Sequence, residues 1–244
     1  MPFLSSAALL RRRMDALCQR FAKGGEIRDS KRGDLSMEKM DIVFAGLGGQ
    51  GVMTLLQVLA AAASKENIPV KNFEGTGITQ RGGGVFGFVR LGDSYSPKIP
   101  TGAADVLISL ELSEIVNVIH YLKPQGEVWA NSDKVHGYYT RLIPDLYPDQ
   151  KMIEPLVKMW TSHLHLLPAI HLAQEAGSPQ AVNMVMLGTF SRNNTFLKLD
   201  SITRAIEDAN KKFAASNLEA FWKGYHFFEA ASSNEKQPRV AQTR

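Results

Sequence analysis

Apolar positions between residues 40 and 131 come in short runs separated by longer stretches of helical spacing. Runs at 42–45, 69–73, 85–91, 106–110 and 128–130 predict five strands. Val52, Leu55, Leu56, Leu59 and Ala63 fall on one side of a helix over 52–64. Gly92-Asp93 turns the chain after the third strand. Leu112, Ile115, Val116, Ile119 and Leu122 predict a second helix, which Pro124-Gln125-Gly126 ends before the fifth strand. Residues 132–150 mix Tyr, Pro and Gly without a period and read as a loop-rich excursion. The last third reads as helical. One segment covers 163–176 with an interruption at Pro168, and another covers 180–190 after Gly177-Ser178-Pro179. A third covers 201–213, with Asp200 or Ser201 as its cap and Ile202, Ala205, Ile206, Ala209 and Phe213 in register, and a fourth covers 218–230. Strands alternating with helices predict an α/β fold: a doubly wound, mostly parallel sheet with helices on both faces and a helical C-terminal third.

Three units follow along the chain. Residues 1–39 form a basic extension, ordered only where a partner holds it; 40–231 form the folded domain; 232–244 form a polar tail. Charge sharpens this division. The 244-residue chain carries a formal +4, and residues 1–39 alone hold nine Lys/Arg against five acids, which leaves the rest balanced. A basic leader on a neutral body gives no footprint for nucleic acid. The leader's Arg-rich start resembles a transit peptide, but its acids and its lack of an apolar segment weaken that reading. No stretch approaches the roughly 18 apolar residues of a membrane span, so the chain reads as a soluble protein. Cys18 is the single cysteine and lies in the leader. One thiol permits neither an intrachain disulfide nor a cysteine-held cluster, so any iron–sulfur chemistry belongs to another polypeptide.

The first candidate site is Gly46-Leu47-Gly48-Gly49-Gln50-Gly51, placed between a predicted strand and a predicted helix. Glycines there let backbone N–H groups and the helix N-terminus face an anion or a close-packed partner. With Glu74 after the second strand, the loop satisfies a dinucleotide-binding fingerprint. A tight turn that binds nothing is the bland alternative. A second glycine-rich segment, Gly75 to Gly84, follows the same strand and carries Gln80 and Arg81 ahead of Gly82 and Gly83. Arg81 offers a planar fork for carboxylate or phosphate. A nucleotide-binding dehydrogenase has no reason to place such a segment there.

Together with Ser178-Pro179-Gln180-Ala181-Val182-Asn183-Met184-Val185-Met186-Leu187-Gly188, these two motifs resemble the small subunit of 2-oxoacid:ferredoxin oxidoreductases. The form Glu74-x-x-Gly77-x-x-Gln80-Arg81-Gly82-Gly83, followed by Tyr95-Ser96-Pro97-x-Ile99-Pro100, is most similar to the indolepyruvate branch. The resemblance spans roughly residues 40–230. It implies a complex that turns a 2-oxoacid, coenzyme A and oxidised ferredoxin or another acceptor into an acyl-CoA, carbon dioxide and reduced acceptor. Thiamine diphosphate, magnesium and iron–sulfur clusters then sit on a larger partner subunit, and this chain holds none. It further implies that the glycine loops face that partner, with Gln80 and Arg81 as auxiliary catalytic residues. The binding set is Gly46, Gly48, Gly49, Gln50, Gly51, Thr54, Glu74, Gly82 and Gly83. Two rival readings stay open: a stand-alone NAD(P)-dependent dehydrogenase and a purely structural scaffold.

Other patterns carry less. His163 and His165 diverge on a helix and lack an accompanying carboxylate, apart from Glu175 four residues after His171, so they read as structural. Phe221, Trp222, Tyr225 and Phe228 read as a core stripe, with a docking face for a partner as the alternative. Asn183, in an apolar helix, needs partners and ties that helix to a glycine loop or caps a strand. Ser191, His120 and Asp105 are not framed by a nucleophile elbow, and no phosphate-binding P-loop is present.

Overall fold

The computed structural model describes residues 39–76, 83–135, 147 and 150–234. Six strands form one sheet: β1 (Met40–Leu47), β2 (Val70–Thr76), β3 (Gly84–Leu91), β4 (Ala104–Ser109), β5 (Leu122–Asn131) and β6 (Leu164–Leu167). Their spatial order is β2-β3-β1-β4-β5-β6. β1, β4, β5 and β6 pair in parallel, while β3 runs antiparallel to both β1 and β2. The sheet is therefore mostly parallel, with β3 alone reversed.

Seven α-helices are described: α1 (Val52–Lys65), α2 (Ile115–Val118), α3 (Gln150–Lys158), α4 (Ala169–Glu175), α5 (Val182–Asn193), α6 (Leu199–Ala209) and α7 (Ala214–Asn234). Ile42 and Phe44 of β1 point to the face covered by α1, α4, α5, α6 and α7, and Val43 and Ala45 point to the face covered by the 112–121 segment and α3. Period-two alternation thus builds an apolar layer on each side of the sheet. α5 sits innermost, its residues from Asn183 to Ser191 all buried. It crosses α7 with backbones in contact. A methyl group built on Gly188 would lie 1.9 Å from the Phe221 carbonyl oxygen, and one on Gly224 equally close to that of Val185.

The structure corrects several expectations. The helix expected through Leu122 is a short stack of a 3-10 turn (Leu112–Glu114), α2 and another 3-10 turn (Ile119–Tyr121). It stops because Leu122 is taken into β5 opposite Ala104. Pro124-Gln125-Gly126 lie inside β5, at a register shift where Gln125 takes a φ of 62°. The helix expected over 163–176 is two elements: 164–167 joins the sheet as β6, and α4 begins after Pro168. α3 was not anticipated. α6 begins one residue before Asp200, so neither Asp200 nor Ser201 caps it; the cap position is Lys198. Phe213 lies in a 3-10 turn beyond α6 and is exposed. The aromatic stripe of α7 does pack inward, with Phe221 fully buried and Trp222, Tyr225 and Phe228 against the core. The leader up to Glu38, Gln80, Arg81, Gly82 and the tail from residue 235 lie outside the described residues. Among those described, no helix is long and apolar enough to cross a membrane.

Candidate functional site

β1 and β4 are parallel neighbours, yet the chain leaves β1 toward β2 and β3 and leaves β4 toward β5 and β6. Such a reversal opens a crevice at the carboxyl ends of the two strands, where ligands of doubly wound sheets bind. The first glycine loop lies there. Gly46 and Leu47 end β1, Gly49 turns at a φ of 100°, and Gly51 stands at the N-cap of α1 with a φ of 84°. Gly46 has no room for a methyl group, since Gln50, Val52 and Leu110 all approach within 3.1 Å of where it would be.

Gln50 braces the turn from inside. Its Oε1 accepts from the Leu47 N–H at 2.6 Å, and its Nε2 donates to the Leu110 carbonyl at 3.4 Å. The Leu110 carbonyl also accepts from Asn131 Nδ2 at 3.2 Å, and Asn131 Oδ1 accepts from the Ala169 N–H at 3.0 Å. One line of hydrogen bonds therefore joins the ends of β1, β4 and β5 to the start of α4. Asp133 continues it by accepting from the Ile170 N–H at 2.8 Å at the same helix end, where the helix dipole favours a carboxylate. On the other side of the loop, Asn183 Nδ2 donates to the Gly51 carbonyl at 3.3 Å, the tie between α5 and the glycine turn that the sequence left as one of two options. Thr54 lies in the first turn of α1, half-buried.

The second glycine segment joins β2 to β3, so it is a hairpin tip at the same end of the sheet as the first loop. The Gly48 N–H donates to the Gly83 carbonyl at 2.9 Å, which stitches the two loops together. Gly83 is buried. Glu74 lies elsewhere: it is exposed on the edge strand β2, paired with Gly87. Because β3 separates β2 from β1, Glu74 is two strand spacings from the glycine turn, roughly 10 Å. A ribose-binding acid belongs on the strand next to β1, so the fingerprint is complete in sequence and divided in space.

Glu111 is the site residue that sequence reasoning missed. It lies two residues past the end of β4 and its side chain is fully buried. It accepts from the Tyr147 hydroxyl, from Ser113 Oγ at 3.1 Å and from the Val135 N–H at 3.1 Å. The only sequence signal was an acid ending an apolar strand on the carboxyl edge. Burial pushes its carboxyl above the ordinary carboxylate range, and the Tyr147, Ser113 and Val135 hydrogen bonds offset part of that. A carboxyl raised on folding leaves stability untouched below its unfolded value and opposes folding increasingly as pH rises to the folded value. The stability of the natural chain minus that of Glu111→Gln is therefore expected to fall as pH climbs from about 4.5, then to level off. Urea unfolding between roughly pH 4 and pH 8 checks this; a difference that is flat or rises with pH contradicts it.

The remaining candidates separate. His165 is on β6, stacked on Trp129 at 4.0 Å between ring centroids, and burial lowers its pKa. His171 Nε2 meets Glu175 Oε1 at 3.2 Å on an exposed turn of α4. Among the described residues no group of three metal-ligating side chains occurs. Ser191 Oγ donates to the Leu187 carbonyl within α5, His120 packs at a tilt against Tyr121, and Asp105 accepts from the Asp41 N–H on β1. They form no triad.

Comparison with known proteins finds relatives of the same fold. Residues 41–227 match the family described as pyruvate ferredoxin/flavodoxin oxidoreductase. The chain is 32% identical to the indolepyruvate oxidoreductase subunit IorB of Archaeoglobus fulgidus, over 77% of this chain and 94% of that one. It is 30% identical to the pyruvate/ketoisovalerate oxidoreductases common subunit gamma of Thermococcus litoralis, over 75% and 96% respectively. Among solved structures, the pyruvate oxidoreductase subunit PORC of Thermotoga maritima superposes with a TM-score of 0.59 at 22% identity, covering 78% of this chain and 97% of that one. The 2-oxoglutarate:ferredoxin oxidoreductase of Magnetococcus marinus superposes with a TM-score of 0.60 at 20% identity; 85% of this chain corresponds to 33% of that larger one.

Proposed function

The chain belongs to the pyruvate ferredoxin/flavodoxin oxidoreductase family, and from that premise we propose that it is the small subunit of a complex that oxidatively decarboxylates an aryl 2-oxoacid such as indolepyruvate to its acyl-CoA. Its task in that complex is to shape the entrance through which the 2-oxoacid or coenzyme A reaches a larger, thiamine-binding subunit. The observation that carries this reading is the Gly48–Gly83 hydrogen bond. It fastens Gly83, at the foot of β3, to the glycine turn at the switch point, and Gln80 and Arg81 precede that foot in the chain.

The residues at hand fit this division of labour. Thiamine diphosphate, when bound to the partner, supplies the carbanion chemistry of decarboxylation; the partner's clusters carry the electrons onward to ferredoxin or another acceptor. A single cysteine in the leader is no donor set for such a cluster. The glycine turn is occupied internally by the Gln50 side chain, which braces it as a rigid platform. Support for the branch comes from the indolepyruvate subunit relatives. The larger Magnetococcus chain, in which a unit of this fold makes up 33%, supports the association with other domains. The dehydrogenase alternative is weakened by β3, which parts Glu74 from the glycine turn.

Arg81 meets a carboxylate or phosphate of the incoming substrate, and Gln80 adds a hydrogen bond. In the assembled complex, Arg81→Ala is expected to raise the apparent KM for the 2-oxoacid or coenzyme A about 10- to 100-fold, the equivalent of roughly 1.5–3 kcal/mol for a charged hydrogen bond. Steady-state kinetics with each co-substrate varied in turn checks this, and unchanged KM for both removes the assignment.

A further inference from the structure

The Tyr95-Ser96-Pro97-x-Ile99-Pro100 motif lies far from the glycine loops, at the other end of β3. The loop that carries it is tightly held. Arg90 on β3 is buried and makes a two-pronged contact with Asp41 of β1, at 2.7 Å to each carboxylate oxygen. Its Nη1 then donates to the carbonyls of Ser96 at 3.0 Å and Lys98 at 3.1 Å. Ile99 is sunk into the apolar layer beneath, and two prolines stiffen the backbone. Ser94 is buried while its hydroxyl is unpaired among the described residues. Arg90 and Ile99 hold the loop from below, and one bond of its own, from the Lys98 N–H to Ser96 Oγ at 3.2 Å, adds to them.

Asp93, Ser96, Pro97, Lys98 and Pro100 of this loop are exposed, and Tyr95 is the one large apolar side chain among its exposed residues. Tyr95 is 102% exposed, without burial against its own chain. An aromatic side chain on a held loop has only two χ angles to lose when it enters a pocket, which is how binding anchors are built. The surface around it is basic. Lys98 sits over the Phe73 ring at 4.9 Å, and Lys71 shares the Phe73 face of the edge strand β2 by strand alternation. Asp93 is the sole acid in residues 92–100. The helix packed on β2 and β3 is α1, on the opposite face. A two-fold contact with a second copy would set Lys71 and Lys98 against their own equivalents, a like-charge juxtaposition that disfavours self-association.

We infer that Tyr95 is an anchor for a different protein chain, inserting into an apolar pocket rimmed by acidic side chains on the larger subunit of the complex. This rests on the proposed function, and it adds a second contact at the end of the sheet opposite the glycine loops. The larger subunit is thereby gripped at two places, only one of which touches the chemistry.

The test measures binding of the full chain to the larger subunit, by interferometry at two salt concentrations, for the natural protein, Tyr95→Ala and Lys98→Glu. Tyr95→Ala is expected to weaken binding at least 10-fold with an unchanged thermal midpoint. Activity at saturating subunit concentration is expected to stay at the natural level. Lys98→Glu is expected to weaken binding and flatten its salt dependence. Natural protein that binds while Tyr95→Ala binds within twofold of it overturns this inference and leaves the proposed function standing. No binding by the natural protein at all overturns both. A Tyr95-dependent dimer of the chain alone, seen by sedimentation, overturns the choice of partner.

Discussion

Replacing Gly188 with alanine is expected to lower the thermal midpoint of the purified chain by roughly 6–12 °C, since about 3 kcal/mol of overpacking is spread over a domain of this size. The added methyl would fall 1.9 Å from the Phe221 carbonyl oxygen. A side chain in the way can change rotamer, but a helix backbone cannot, so α5 and α7 must separate along their crossing. That loosens the bond from Thr189 Oγ1 to the Gly224 carbonyl, 3.0 Å in the intact pair. It also disturbs the innermost helix, whose first turn carries Asn183 and, through it, the Gly51 end of the glycine turn. Differential scanning calorimetry of the variant decides the matter. A shift under about 2 °C means that the crossing relaxes at little expense and is no keystone.

Arg90→Met is expected to destabilise the chain by about 3–5 kcal/mol, because it strands a buried carboxylate. Asp41 and Arg90 are 6% and 8% exposed, and no water-rich surface shields either. The loss is larger than the pair itself contributes, since bringing two charges out of water offsets most of their attraction. The sharper expectation is therefore an ordering. Asp41→Leu combined with Arg90→Met is expected to be more stable than Arg90→Met alone, because both charges then disappear together. Urea unfolding of the three proteins supplies the cycle. Finding the double variant less stable than the Arg90 single contradicts the account in which a stranded Asp41 carboxylate causes the loss.

The first half of the fold was legible because each element there obeys one rhythm. β1, α1, β2 and β3 lie within three residues of their expected bounds. Where the reading failed, tertiary pairing outvoted a local period. Leu112 to Leu122 has flawless helical spacing, yet Leu122 is claimed by the sheet. His163, His165 and Pro168 hide β6, because the polar positions that mark an alternating strand are imidazoles, one of them stacked on Trp129. α3 is short, charged and carries Pro155 within it, so no periodic signal exceeded the noise of its neighbours. The glycine turn was visible as chemistry. Its supports were visible only in part: Asn183 announced itself as an amide in an apolar helix, whereas Glu111 draws its partners from Val135 and Tyr147, far along the chain. The dinucleotide fingerprint misled for a topological reason, because spacing in sequence cannot show that β3 would be interleaved between the two strands that carry it.

That interleaved strand has a consequence for how such a protein can change. The segment bearing Gln80 and Arg81 is a hairpin tip whose two feet, Thr76 and Val85, are fastened by cross-strand pairing. Lengthening a tip held in this way costs only loop-closure entropy, about 0.6 kcal/mol per doubling. Changes between those feet leave the β2–β3 pairing in place, provided that Gly83 keeps its bond to Gly48 and so its hold on the turn that Gln50 braces. On the proposed reading of Gln80 and Arg81, swapping this segment between relatives is expected to redirect substrate preference while the pairing of β2 with β3 is kept.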